Sequence, residues 1–127
     1  MTYKILIVDD SKLARMAVIK TLTKSFPDWR WVEAANAAQA LKAMEDDPPD
    51  IALIDFNMPV RDGLHLAEDL RVISAEMPVA IISANHQREI IRRTEALGAT
   101  FLPKPLVEAA LIGFLQDAER ALAASTS

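Results

Sequence analysis

The chain has 127 residues, eighteen Asp and Glu against fourteen Lys and Arg for a net charge of −4, 51% hydrophobic residues and no cysteine. That is one ordinary domain of globular composition, long enough to bury a core without staples. Mild acidity argues against direct binding to nucleic acid or to an anionic membrane. The lack of thiols excludes disulfide frameworks, thiolate metal sites and thiol catalysis.

Short apolar runs alternate with helical patterns along the chain. Lys4–Val8 predicts a strand, and the apolar spacing Leu13, Ala17, Leu22 predicts a helix over 13–25. A strand over 31–34, a helix over 37–46, a strand over 51–54 and a helix over 63–74 follow. Then come a strand over 79–83, a helix over 88–97, a strand over 100–102 and a helix over 107–123. Phe26-Pro27-Asp28, Asp47-Pro48-Pro49-Asp50, Glu76-Met77-Pro78 and Gly98 punctuate the helix-to-strand crossings. Five such alternations predict an α/β fold: a parallel sheet with helices on both faces. The first, third and fourth strands are apolar throughout, as central strands must be; the second and fifth suit the edges.

No run approaches bilayer length, and the N-terminus lacks the long apolar region of a signal peptide. The expectations are therefore one domain over 1–127, a cytoplasmic location without membrane insertion, and a frayed tail over 124–127.

Open α/β sheets bind ligands at the carboxyl ends of their strands. There the first strand runs into Asp9-Asp10-Ser11, the third into Asp55-Phe56-Asn57-Met58-Pro59, the fourth into Ser83-Ala84-Asn85 and the fifth into Pro103-Lys104-Pro105. Three carboxylates crowded together repel, and a hard cation such as Mg²⁺ is the natural remedy for an oxygen-only ligand set. Asp55 ends a central strand and is the best candidate to attack phosphorus and form an aspartyl phosphate. Mg²⁺ and Lys104 would neutralise charge on the transferring group, with the Ser83 hydroxyl bonding one of its oxygens.

Ile-Leu-Ile-Val-Asp-Asp-Ser (5–11), Asp-Phe-Asn-Met-Pro-Val-Arg-Asp-Gly (55–63), Ile-Ser-Ala (82–84) and Leu-Gly-Ala-Thr-Phe-Leu-Pro-Lys-Pro (97–105) occur in this order. Together they resemble the receiver domain of two-component response regulators, of the single-domain chemotaxis-regulator kind. The resemblance implies a flavodoxin-like (βα)5 three-layer sandwich with strand order 2-1-3-4-5. It implies phosphorylation of Asp55 by a sensor histidine kinase or a histidine phosphotransfer protein. Mg²⁺ would be held by Asp10, Asp55 and the backbone carbonyl of Asn57, with Asp9 acting mostly through water. Ser83 and Lys104 would contact the phosphoryl group, and Phe101 would turn inward as Ser83 moves. A cis Lys104–Pro105 bond is implied as well. The output would be a changed partner surface on the fourth helix, fifth strand and fifth helix, read by a further protein. The alternative is a receiver excised from a longer regulator.

A small Mg²⁺-dependent phosphohydrolase is a distant rival, since Asn57 stands where it needs a second carboxylate. A flavin-binding domain fails because Asp9-Asp10 would repel a phosphate. Elsewhere, Trp31 is expected to pack inward and Trp29 to be partly exposed. Met58 and Met77 read as core fillers, and His65 and His86 as surface histidines. Arg88, Arg92 and Arg93 form a basic side on the fourth helix, with Glu89–Arg93 pairing and room for an acidic partner.

Overall fold

The β-branched and aliphatic runs all become strands, each is followed by a helix, and the first three of these helices start on a short polar capping side chain. The computed structural model describes residues 2–125. In chain order it contains β1 (Lys4–Val8), α1 (Lys12–Ser25), β2 (Arg30–Ala34), α2 (Ala37–Asp46), β3 (Ile51–Asp55), α3 (Gly63–Ile73), β4 (Val79–Ser83), α4 (Arg88–Ala96), β5 (Thr100–Pro103) and α5 (Glu108–Ser125). All strand pairs are parallel and the order is β2-β1-β3-β4-β5, the flavodoxin-like arrangement expected.

The period-two alternation of the strands splits the core into two layers. Leu6, Val8, Ala52, Ile54, Val79 and Ile81 face α2, α3 and α4, where Met44, Leu64, Leu70 and Ile90 meet them. Ile5, Ile7, Ile51, Leu53, Ala80 and Ile82 face α1 and α5, where Leu22, Leu111, Phe114 and Leu115 meet them. Met58 and Met77 are buried in the first layer, as expected.

Ser11, Asn36 and Asp62 cap α1, α2 and α3 by accepting from the amides of Ala14, Gln39 and His65. These caps fix the three helix starts at the carboxyl edge of the sheet.

Several local expectations are corrected. The buried stripe of α1 is Val18, Thr21 and Leu22, whereas Leu13 is 78% exposed. The two tryptophans exchange roles. Trp29 is buried, with its ring against Tyr3 at 5.3 Å and Phe26 at 4.4 Å. Trp31 is 39% exposed, on the same face as its partner Ile5 but on edge strand β2, with no place in the core cluster on that face. Glu89 pairs with Arg92, one residue nearer than expected, and Arg93 turns to Glu68 of α3 at 3.6 Å. Arg88 is thus the α4 arginine without an acidic partner among the described residues, and the basic side is smaller than the sequence suggests. Helix α5 runs through Ala124 to Ser125, into the stretch expected to fray; 126 and 127 lie outside the described residues.

Candidate functional site

Strand register alone assembles the polar residues. Val8 pairs with Ile54, so Asp9 leaves β1 beside Asp55, the last residue of β3. Asp55 pairs with Ile82 and Ser83 with Pro103, so Ser83 and Lys104 follow in turn on the next two strands. Four of the five strand ends thus meet, and the sequence-predicted Asp9, Asp10, Asp55, Ser83 and Lys104 share the carboxyl edge of the sheet.

The carboxylates of Asp9, Asp10 and Asp55 each offer an oxygen within 4.8 Å of the others. Asp9 and Asp55 are buried and Asp10 is exposed. Burial pushes the Asp9 carboxyl up; the Ser11 amide at 2.8 Å works against this, and the negative charges of Asp55 and Asp10 add to it. Lys104 Nζ lies 2.8 Å from Asp55 Oδ1. Partial burial disfavours the ammonium, but the adjoining Asp55 carboxylate and the charges of Asp9 and Asp10 outweigh it and raise the lysine pKa. Apart from this ion pair, Oδ1 is a buried oxygen with no further hydrogen-bond partner among the described residues. A buried oxygen left in that condition has capacity for a ligand or a new bond. With donors that are all oxygen, the cluster fits a hard divalent cation such as Mg²⁺.

A glycine makes the cluster possible. A Cβ on Gly63 would lie 2.4 Å from the Asp55 carbonyl oxygen and 2.9 Å from Phe56 Cα, so only glycine lets the start of α3 abut the end of β3. Asn57 is exposed in the turn between them. The Arg61 guanidinium steadies that turn with two bonds to the Asp69 carboxylate, at 2.8 and 2.9 Å.

The fully buried Ser83 hydroxyl accepts from the Asn85 amide at 2.9 Å, which leaves its own hydrogen free to donate. The Lys104–Pro105 bond is cis. Phe101 is half-buried against the α4-side core, and His86 packs edge-on against its ring at 5.8 Å. That contact was not foreseen: the sequence shows His86 as an ordinary surface residue, and only the fold brings the β4–α4 loop to β5. Arg15 was missed as well. Its Nη1 donates to the Asp9 carbonyl at 2.5 Å and its Nε to Glu33 Oε1 at 3.0 Å. The available signal was an arginine in the opening turn of the helix that follows an acidic pair.

The comparisons identify the family. A family model described as the response regulator receiver domain matches residues 5–116. The chain is 33% identical over 106 residues to sporulation initiation phosphotransferase F of Bacillus subtilis, covering 83% of this chain and 84% of that protein. It is 32% identical over 106 residues to the chemotaxis protein CheY of the same organism, covering 83% and 88%. The sensory/regulatory protein RpfC of Xanthomonas campestris is 36% identical over 119 residues, 90% of this chain but only 16% of that protein. Among solved structures, chemotaxis protein CheY4 of Vibrio cholerae superposes with a TM-score of 0.83 at 29% identity, covering 93% of this chain and 99% of that one. The chain belongs to the response regulator receiver domain family of two-component signalling. Members of this family bind Mg²⁺ at an acidic pocket and interact with histidine kinases or phosphotransfer proteins. No helix among the described residues is long and apolar enough to cross a membrane.

Proposed function

We propose that this chain is a phosphoacceptor switch in which Asp55 takes a phosphoryl group from the phosphohistidine of a sensor kinase or phosphotransfer protein. The observation that carries the reading is the buried Asp55 carboxylate, paired through Oδ1 with Lys104 at 2.8 Å and set beside two further carboxylates. A carboxylate oxygen of Asp55 attacks phosphorus; the new O–P bond replaces the donor's N–P bond, whose electron pair returns to the imidazole nitrogen. Asp10, Asp55 and the Asn57 carbonyl would hold Mg²⁺, with Asp9 acting mostly through water. Bound there, the cation would offset the carboxylate charges and the charge on the transferring phosphoryl group. Lys104 supplies a second fixed positive charge, and the free Ser83 hydrogen a donor for a phosphoryl oxygen.

The readout follows from packing. Ser83 is three residues from His86, and His86 rests on Phe101 of β5. Drawing Ser83 toward a phosphoryl oxygen displaces the loop that meets Phe101, and the face of α4, β5 and α5 changes with it. A ligand achieves this by favouring one of two existing states. Arg88 leaves that face a residual positive charge for an acidic partner. The chain acts as a signalling acceptor in the cytoplasm, not as an enzyme turning over a separate substrate, and needs neither nucleic acid nor membrane.

The stand-alone form is supported by the two Bacillus relatives, of which the chain spans more than four fifths. The match to 16% of RpfC favours the second reading, a receiver carried within a longer regulator. The test is transfer of labelled phosphate from a phosphorylated histidine phosphotransfer protein to the wild type and to Asp55→Asn. Label reaching both equally would rule out Asp55 as acceptor.

A further inference from the structure

We infer that Arg15, anchored by Glu33, is a positioning residue that orients the Asp9–Asp10 peptide and thereby sets the affinity of the acidic cluster for a divalent cation; the inference rests on the proposed reading of that cluster as a Mg²⁺ site. Three contacts determine how Asp9 sits. Its amide donates to the Ala34 carbonyl at 3.0 Å, extending the β1–β2 ladder by one residue. Its carboxylate accepts from the Ser11 amide at 2.8 Å. Its carbonyl, the one joined to Asp10, accepts from Arg15 Nη1 at 2.5 Å. The Arg15 contact fixes the plane of the Asp9–Asp10 peptide, and with it the position of the Asp10 Cα and the N–Cα axis about which the Asp10 side chain is carried.

Asp10 depends on this more than its neighbours do. It is exposed, and no hydrogen bond among the described residues orients its carboxylate, whereas Asp55 is held in a strand and Asp9 by Ser11. The guanidinium suits the task because its fork of donors has a fixed geometry: Nη1 takes the carbonyl while Nε takes Glu33 Oε1 at 3.0 Å. Arg15 is only 14% exposed, so it lies inside the joint between α1, the β1–α1 turn and β2. Glu33 is 40% exposed, and its ion pair contributes little to stability. Its effect is to choose one orientation for the arginine. Outer partners of metal ligands commonly change affinity by about 10- to 100-fold when removed.

The test is a titration of the full chain with Mn²⁺ alone, without phosphodonor, read by the electron paramagnetic resonance of free Mn²⁺. It compares the wild type with Arg15→Ala, Arg15→Lys, Glu33→Gln and Asn36→Ala, the last removing a helix cap that is no part of the acidic cluster. Expected is a loss of affinity of about tenfold in Arg15→Ala, a smaller loss in Glu33→Gln, partial recovery in Arg15→Lys and no change beyond twofold in Asn36→Ala. Wild-type affinity in both Arg15→Ala and Glu33→Gln overturns the inference, as does an equal loss in Asn36→Ala, which would trace the effect to general destabilisation. Should Arg15→Ala not fold, Glu33→Gln decides alone. A wild type that binds no Mn²⁺ overturns the metal-site reading itself; one that binds, with the variants indistinguishable from it, overturns only the role of Arg15.

Discussion

Lys104 Nζ stands 2.8 Å from Asp55 Oδ1, and the two are buried unequally: the lysine side chain is 33% exposed and the carboxylate 3%. The lysine is therefore the movable partner and the carboxylate the fixed one. Lys104→Met leaves Asp55 with only like charges around it. It should slow phosphorylation of Asp55 by a small phosphodonor by about 100-fold, the scale of one lost charge-stabilising donor. Its cost in stability is on the order of 1–2 kcal/mol, below that of a fully buried pair because the lysine is partly solvated. Stopped-flow tryptophan fluorescence and urea unfolding measure the two effects; an unchanged rate would remove Lys104 from the transfer step.

Asp9 gives the site a pH signature. Burial first, then the charges of Asp55 and Asp10, raise its pKa above the ordinary 3.8, the Ser11 amide and Lys104 notwithstanding. A carboxyl whose pKa is higher folded than unfolded holds its proton more tightly in the folded state. Its stabilising contribution is thus complete below 3.8 and is lost as pH rises through the raised folded value. Metal-free Asp9→Asn should be more stable than the wild type at neutral pH and should lack this decline. Mg²⁺ should raise the unfolding midpoint of the wild type by mass action and that of Asp9→Asn less. Thermal unfolding at several pH values, with and without Mg²⁺, checks both statements.

Gly63→Ala tests the contact between α3 and the end of β3. The added Cβ meets two backbone atoms, and neither can rotate away. The loss should be about 3 kcal/mol, the upper range for overpacking, with slower phosphorylation because the displaced atoms belong to Asp55 and Phe56. An alanine variant with an unchanged urea midpoint would contradict the close approach.

The tryptophans check the placement of the edge strand. Trp29→Ala should cost about 3–5 kcal/mol, as for other large buried aromatics. Trp31→Ala should cost about 1 kcal/mol or less. Acrylamide should quench Trp31 readily and Trp29 poorly.

The site was more legible than the packing around it. Asp9, Asp55 and Ser83 end or follow strands whose apolar runs are unmistakable, Lys104 follows the weaker fifth strand, and register does the rest. The bounds of β1, α2 and β4 agree with expectation to the residue. The buried side of α1 was harder, because Leu13, Ala14, Met16, Ala17, Val18 and Ile19 place apolar residues around most of the helix. Which side is buried depends on the sheet beneath and on α5 beside it. Trp31 misled for a related reason: a large aromatic in a strand suggests the core, yet an edge strand can leave its ring partly uncovered. Arg93 has two acids within reach, and only the tertiary fold brings Glu68 close enough to compete with Glu89. The contacts of Arg15 with Asp9 and of His86 with Phe101 join different elements, so no local pattern announces them.

Phosphorylation of Asp55 is tested by the intact mass of the full chain after incubation with acetyl phosphate and Mg²⁺, followed by mapping of the modified residue. One phosphoryl adduct is expected, located on Asp55, absent from Asp55→Asn and abolished when EDTA replaces Mg²⁺. An adduct that persists in Asp55→Asn, or no adduct in the wild type with Mg²⁺ present, would contradict this reading.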